Sequence, residues 1–277
     1  MRSGRLVELW LEMVRHPPER AVVERKRLIS RAAQLVSDAS VSAKASVPSE
    51  LDVVVSGSGF LSLYFLGVHS VLTALEAARH TELKRYAGSS SGAQTPFELV
   101  LAGEDATLDI YLSHGMLADE HARGAGLLRS AANADAHWRA LGDYLIDQHA
   151  DALHMLDERV HVGVTLFGWT GARYAQYSHW SERGAEVAKR AFYATGTMLT
   201  RIDGHWATDG GVTNNKPLFK DRLRTQLVVQ PTKCGLPWSM ACRYSFADAV
   251  RAIELGQDDA IKLIEETTPV PKALAYV

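Results

Sequence analysis

The sequence predicts an α/β protein, a sandwich on a mostly parallel central sheet preceded by a helical segment. Three observations point there. From Leu51 onward, short β-branched runs alternate with helix-length apolar or amphipathic stretches. Before Leu51 the apolar residues recur only at helical spacing. The chain has 277 residues, of which 47% are hydrophobic, enough for one large core with an appendage. The expected division is a helical N-terminal segment and linker over 1–48 and an α/β domain over 49–277.

The elements follow in order. In "RLVELWLEMVRH", Leu6, Val7, Trp10, Leu11 and Val14 form one helical face, and Pro17-Pro18 ends it. That face suits either a core or a membrane surface. A second helix is expected over 18–36, with Pro18 at its start. The small residues of "DASVSAKASVPSE" read as a linker. "LDVVVS" is a buried strand, Gly57 to Gly59 a tight loop, and 61–78 an apolar helix. "LKRYAG" is a second strand, and the helix "SGAQTPFELVLAG" follows with Gly103 as its cap. Residues 105–157 read as mainly helical. "RVHVGVTLF" and "ARYAQYSHW" are strands joined by a turn at Gly168 to Gly171. A helix capped by Ser181 covers 181–195, "TQLVVQP" is a further buried strand, and a long helix spans 246–266. No internal repeat or low-complexity tract occurs.

Composition removes several function classes. Thirty basic residues face thirty-two acidic ones, so no basic excess exists to neutralise phosphates, and nucleic acid is not an expected partner. Two cysteines, Cys234 and Cys242, cannot build a disulfide framework or a four-ligand zinc site, and both are read as reduced thiols. Glu8 and Glu12 interrupt the first apolar stretch, which argues against a signal or transit peptide. The stretch 60–75 carries His69 and several hydroxyls and is read as a core helix, not a membrane span.

Chemistry is concentrated in three places. "GSSSG", Gly88 to Gly92, fits Gly-x-Ser-x-Gly on a strand-to-helix turn, the nucleophile elbow. The turn is too tight for a Cβ at either glycine, Ser90 projects from its apex, and the Ser91 N–H points at a developing oxyanion. Alone, the five residues also fit a serine-rich turn. Upstream, "SGSGFL" exposes the N–H groups of Gly57, Ser58 and Gly59 at a helix start. That suits an oxyanion loop, or a dinucleotide loop whose third glycine is replaced by Ser62 and whose acid would be Glu76. Downstream, Asp209 precedes Gly210 and Gly211 in "HWATDGGVTNNKPL". Ser90 needs a base. Asp209 is one candidate, and His161, His179 or His205 are the others.

Glycine loop, elbow and Asp-Gly-Gly turn, in that chain order, resemble the patatin-like phospholipase family over roughly Asp52 to Pro231. "SGSGFLSLYFLGVHSVL" is most similar to the branch containing adipose triglyceride lipase. The resemblance implies a patatin-like three-layer sandwich and a lipid acyl hydrolase with a Ser–Asp dyad. Ser90 would be the nucleophile and Asp209 the base, with Gly57, Ser58, Gly59 and Ser91 around the oxyanion. Gly88, Gly92, Gly210 and Gly211 would shape the turns, with Asn215 and Pro217 in register after the acid. No cofactor or metal is implied. The implied partner is a lipid at a membrane or lipid-droplet surface, met by a cytoplasmic or peripheral protein, with a protein activator conceivable. Leu61 and Ser62 depart from the Arg or Lys and Gly of many members, and "AFYATGTM" lacks the family's usual proline. Leu61 leaves no cation for a phospholipid headgroup. Acyl-groove walls are expected from Tyr64, Phe65 and the 105–157 region. The alternatives are a catalytically silent lipid-binding or scaffold protein and a His-dependent serine esterase.

Overall fold

A computed structural model describes residues 3–121, 127–196, 199–241, 243–266 and 275–276. Cys242 and the Thr197-Met198 end of "AFYATGTM" lie outside the described residues. Helices α1 (Ser3–Arg15), α2 (Glu19–Asp38) and α3 (Val41–Ser46) precede β1 (Glu50–Val55). Then come α4 (Leu63–Ala77), β2 (Glu82–Ser89), α5 (Ser91–His121), α6 (Leu127–Gln148), β3 (Val160–Gly168) and β4 (Gly171–Tyr177). The chain continues through α7 (Trp180–Thr195), β5 (Thr200–Ile202), β6 (His205–Asp209), β7 (Thr225–Val229), α8 (Phe246–Glu266) and β8 (Ala275–Tyr276).

The fold is α/β with a mostly parallel central sheet. Its order is β5-β6-β3-β2-β1-β7-β8, with β4 on the other edge of β3. β1 pairs in parallel with β2 and β7, and β2 with β3. The β3–β4 hairpin and β5–β6 form an antiparallel extension beyond the end of β2.

Alternation along β1 shows which surfaces are covered. Val53 and Val55 join the large cluster that takes in every helix with described core residues, whereas Val54 packs with Ala87, Val228 and Phe219. That second face is covered by the strap 213–224, the third layer over the described residues. Arg85 fastens it, bonding Asp52 at 2.5 Å and Asp221 at 2.7 Å while its guanidinium lies 4.0 Å over the Phe219 ring.

On the helical face, α4 and α8 cross backbone to backbone. A Cβ on Gly67 would lie 1.9 Å from the Ile253 carbonyl, and one on Gly256 would lie 2.0 Å from that of Tyr64. Gln257 ties the crossing to α2, donating to Leu28 O at 2.8 Å and to Ser70 Oγ at 3.0 Å. α4 and its preceding turn are long and apolar enough to cross a membrane, yet 78% of that window is buried inside the protein. Tyr64 and Phe65, the expected groove walls, belong to this packing. Both are buried, and the Tyr64 hydroxyl donates to Asp259 at 2.8 Å. A 3-10 turn at Gly59–Ser62 precedes α4, and every residue from Leu63 to Leu72 is buried, so no side of this stretch faces a groove.

Three local expectations change. The expected linker contains α3, capped by Ser40 Oγ, which accepts from the Ala43 N–H at 3.1 Å. Gly103 does end a helical stretch, at φ 86°, and a second stretch resumes directly after it within α5. Helix α7 begins at Trp180, and Asp157 accepts from the Trp180 and Ser181 N–H groups in place of a Ser181 cap. The strands β5 and β6, which lie where the sequence suggested no element before the Asp-Gly-Gly turn, are paired ladders.

The N-terminal helices are built into the core. Trp10 is fully buried and meets His114, His137 and Trp138 edge to face at 5.2–5.8 Å. Phe60, directly after Gly59, contacts His114 and Trp138 in the same cluster. Trp10→Ala should therefore lower stability by about 3–5 kcal/mol, the range for truncating a buried aromatic. A urea titration would show it as a fall in midpoint; an unchanged midpoint would mean that α1 folds apart from the core.

Candidate active site

Ser90 follows the last residue of β2 and stands just before the first residue of α5. Its φ is 58°, a left-handed conformation that an L-residue adopts at a steric cost. The Ser90 carbonyl accepts from Ala93 N at 2.9 Å and Gln94 N at 3.2 Å, so the helix N-terminus faces the same point. The glycines are required by contact. A Cβ on Gly88 would lie 1.9 Å from the Gly92 carbonyl, and one on Gly92 2.3 Å from that of Val55.

Asp209 reaches Ser90 through strand pairing. β4 occupies one edge of β3 along Val162–Gly168, so β2 and β6 must share the other edge. There Ser89 pairs with Gly163 and Asp209 with Val164, and the two strand ends abut. The Ser90 hydroxyl faces the Asp209 carboxylate, and the Gly211 N–H donates to its Oδ1 at 2.7 Å. Burial raises the Asp209 carboxyl above the ordinary carboxylate range, and the neighbouring Ser90 hydroxyl and Gly211 N–H partly oppose it.

Two residues not singled out in the sequence, Gly163 and Thr165, complete the junction together with Gly210 and Ser89. A Cβ on Gly163 would lie 2.6 Å from Ser89 Oγ, and one on Gly210 would lie 2.3 Å from the Gly163 carbonyl. Thr165 Oγ1 donates to Asp209 O at 2.7 Å, and Ser89 Oγ donates to Asn214 O at 2.7 Å. The signal available for Gly163 was an isolated glycine inside a strand, which marks close approach.

The upstream loop lies against the elbow. A Cβ on Gly57 would lie 2.6 Å from Ser90 Cβ, and Gly59 takes φ 58° with Ala241 O in the space of its Cβ. Its N–H groups are partly engaged. Asn215 accepts from Gly57 N–H at 2.9 Å and donates back to Gly57 O at 3.2 Å, so Gly57 fastens the loop and does not point its N–H at an oxyanion. Ser58 N–H donates to Ser91 Oγ at 3.2 Å; that hydroxyl must turn away before Ser58 can meet an oxyanion. Gly211 stands beside both Asp209 and Asn215.

The candidate histidines sit elsewhere. His161 bonds Glu158 O at 2.9 Å and packs on Phe219 of the strap. His179 precedes α7, and His205 is exposed at the far end of β6 from Asp209. Among the described residues, no group of three or more metal-binding side chains occurs.

No protein-family model matches the chain, and neither does any curated protein. Among solved structures the chain is similar to VipD from Legionella pneumophila, at a TM-score of 0.43 and 12% identity, over 79% of this chain and 67% of that one. The likeness is one of backbone path and says nothing of chemistry.

Because burial raises the Asp209 pKa, the protonated form is the better fit to the fold. That stability is fully present in acid and is lost as pH rises through the raised pKa. Asp209→Asn removes the charge and keeps an acceptor for Gly211. It should raise the melting temperature at neutral pH by on the order of 1–3 °C, with the gain vanishing in acid. A lower melting temperature at pH 7 would show that the ionised carboxylate stabilises the protein.

Proposed function

We propose that the chain is a lipid acyl hydrolase that cleaves carboxylic esters through a Ser90–Asp209 dyad. The observation that supports the reading is the end-to-end meeting of β2 and β6, with a strained, half-buried serine after one strand end and a buried carboxylate at the other. The motif resemblance to patatin-like phospholipases, nearest the adipose triglyceride lipase branch, supplies the substrate class. Leu61 is buried and the loop carries no cation at that position, which favours neutral acylglycerols over phospholipids.

Ser90 Oγ attacks the ester carbonyl carbon as its proton passes to Asp209. The carbonyl oxygen becomes an oxyanion at the N-terminus of α5, against the N–H groups of Ser91, Gly59 and, once Ser91 Oγ has rotated, Ser58. Collapse of the tetrahedral intermediate expels the alcohol, which takes the proton from Asp209 and leaves an acyl-Ser90 ester. A water then attacks that ester while Asp209 accepts its proton, and the fatty acid departs with the proton returned to Ser90. The raised pKa of Asp209 brings its basicity closer to what proton abstraction needs. No step calls for a metal or cofactor.

A second reading, a catalytically silent lipid-binding protein, draws on the engagement of Gly57 N–H and Ser58 N–H within the protein. Hydrolysis of a short-chain nitrophenyl ester and an emulsified triacylglycerol, with fluorophosphonate labelling, separates the two. Ser90→Ala should abolish turnover and labelling. Asp209→Asn should lower turnover by on the order of 10²–10⁴-fold. His161→Ala, His179→Ala and His205→Ala should each retain activity; loss in one of them would favour a histidine base. Absence of both turnover and labelling in the parent would favour the silent protein. Turnover should also fall as pH drops through the Asp209 pKa, with an acid limb above the 3.8 of an ordinary aspartate.

A further inference from the structure

The antiparallel extension has one face that no described helix covers. Paired residues share a face, so Thr165 with Thr208 and Phe167 with Trp206 point to the same side, along with Tyr174 and Arg201. The opposite side, through Val164, Leu166, Ala207 and Ile202, is buried in the main core. On the open side Phe167 and Trp206 form a directly opposed exposed pair, and Trp169 stands fully exposed at the hairpin tip. Leu199 before β5 is exposed too, as is Val212, three residues past Asp209. Scattered apolar residues are ordinary on a surface, but a contiguous group with two tryptophans marks a binding face.

Charge and position select the occupant. β3, the turn and β4, residues 160–177, contain no acidic residue. On the open side the Arg201 guanidinium lies 4.6 Å over the Trp206 ring, whereas Arg173 pairs with Leu166 and stands on the other side of β4. Asp203, the acid of the β5–β6 turn, is ion-paired with Arg183 at 2.8 Å. Aromatic rings beside a guanidinium group match the headgroup level of a bilayer, where tryptophan concentrates and cations meet lipid phosphates. The extension also projects past the end of β2, the end that carries Ser90. Trp206 is three residues from Asp209, about 10 Å along the strand.

We propose that this face, built on Phe167, Trp169, Trp206, Leu199 and Arg201, docks the protein on an anionic lipid surface. Docking there brings the Ser90–Asp209 edge down to the interface, where an insoluble ester is found. The choice of lipid as occupant rests on the hydrolase reading; the geometry of the face does not.

The test is flotation of Ser90→Ala protein with phosphatidylcholine vesicles, with and without phosphatidylglycerol, so that binding is read without turnover. Ser90→Ala protein should bind the anionic vesicles. Adding Trp169→Ala and Trp206→Ala should weaken partitioning about tenfold or more, and adding Arg201→Ala alone should weaken it on the anionic vesicles chiefly. Trp169→Ala alone, at a fully exposed tip, keeps the test open if the double change disturbs folding. The proposal is overturned if Ser90→Ala protein binds neither vesicle or if the tryptophan variants bind as tightly. It is overturned equally if sedimentation shows a dimer that the tryptophan variants dissociate, which would give the face to a second copy of the chain. Vesicle binding without Ser90-dependent ester hydrolysis in the parent would retain the docking face and remove the hydrolase. Hydrolysis of a soluble ester without vesicle binding would do the reverse.

Discussion

The site depends on one edge of one strand. β4 takes one side of β3 from Val162 to Gly168, and the other side is shared by β2, arriving parallel, and β6, arriving antiparallel. Two strand ends can meet there only if nothing bulky stands between them. Gly163 and Gly210 provide that space, and the Ser89 side chain fills what remains while bonding Asn214. The geometry of Ser90 and Asp209 is thereby inherited from backbone pairing, which is stiffer than any arrangement of free side chains.

Around that junction the chain is fastened by groups that do no chemistry. Asn215 makes two hydrogen bonds to Gly57 and so couples the loop after β1 to the segment after β6. Farther along the same strap, Arg85 holds Asp221 from one side and the buried Asp52 from the other. The Trp10 cluster supports the loop from behind through Phe60. The Gly57–Gly59 loop is thus held by the N-terminal helix and the strap, two segments distant from it in sequence.

Much of this was legible in the sequence, for stated reasons. "LDVVVS" reads as a buried strand because both of its faces are covered, and the elbow reads as a sharp turn because its two glycines touch. The short strands β5 and β6 were not legible. Three and five residues of mixed polarity carry no period, and their pairing is set by β3. The helix α3 was hidden by small residues, although Ser40 had the right chemistry for its cap. Tyr64 and Phe65 were expected to line a groove, but α4 is enclosed on all sides by the sheet and its neighbouring helices from Leu63 to Leu72. The use of Gly57 N–H by Asn215 could not be read at all, since the two are joined only in the fold.

Position 90 has a further meaning. At φ 58° glycine would sit without steric penalty, so an unconstrained choice for a well-folded chain would not be serine. Drift toward stability alone would be expected to erode the hydroxyl. A serine there, beside a carboxylate that burial favours as neutral, is a local conflict between folding and the proposed chemistry. Tolerance to substitution at that one site is accordingly a measure of what the chain is asked to do, separate from how well it holds together.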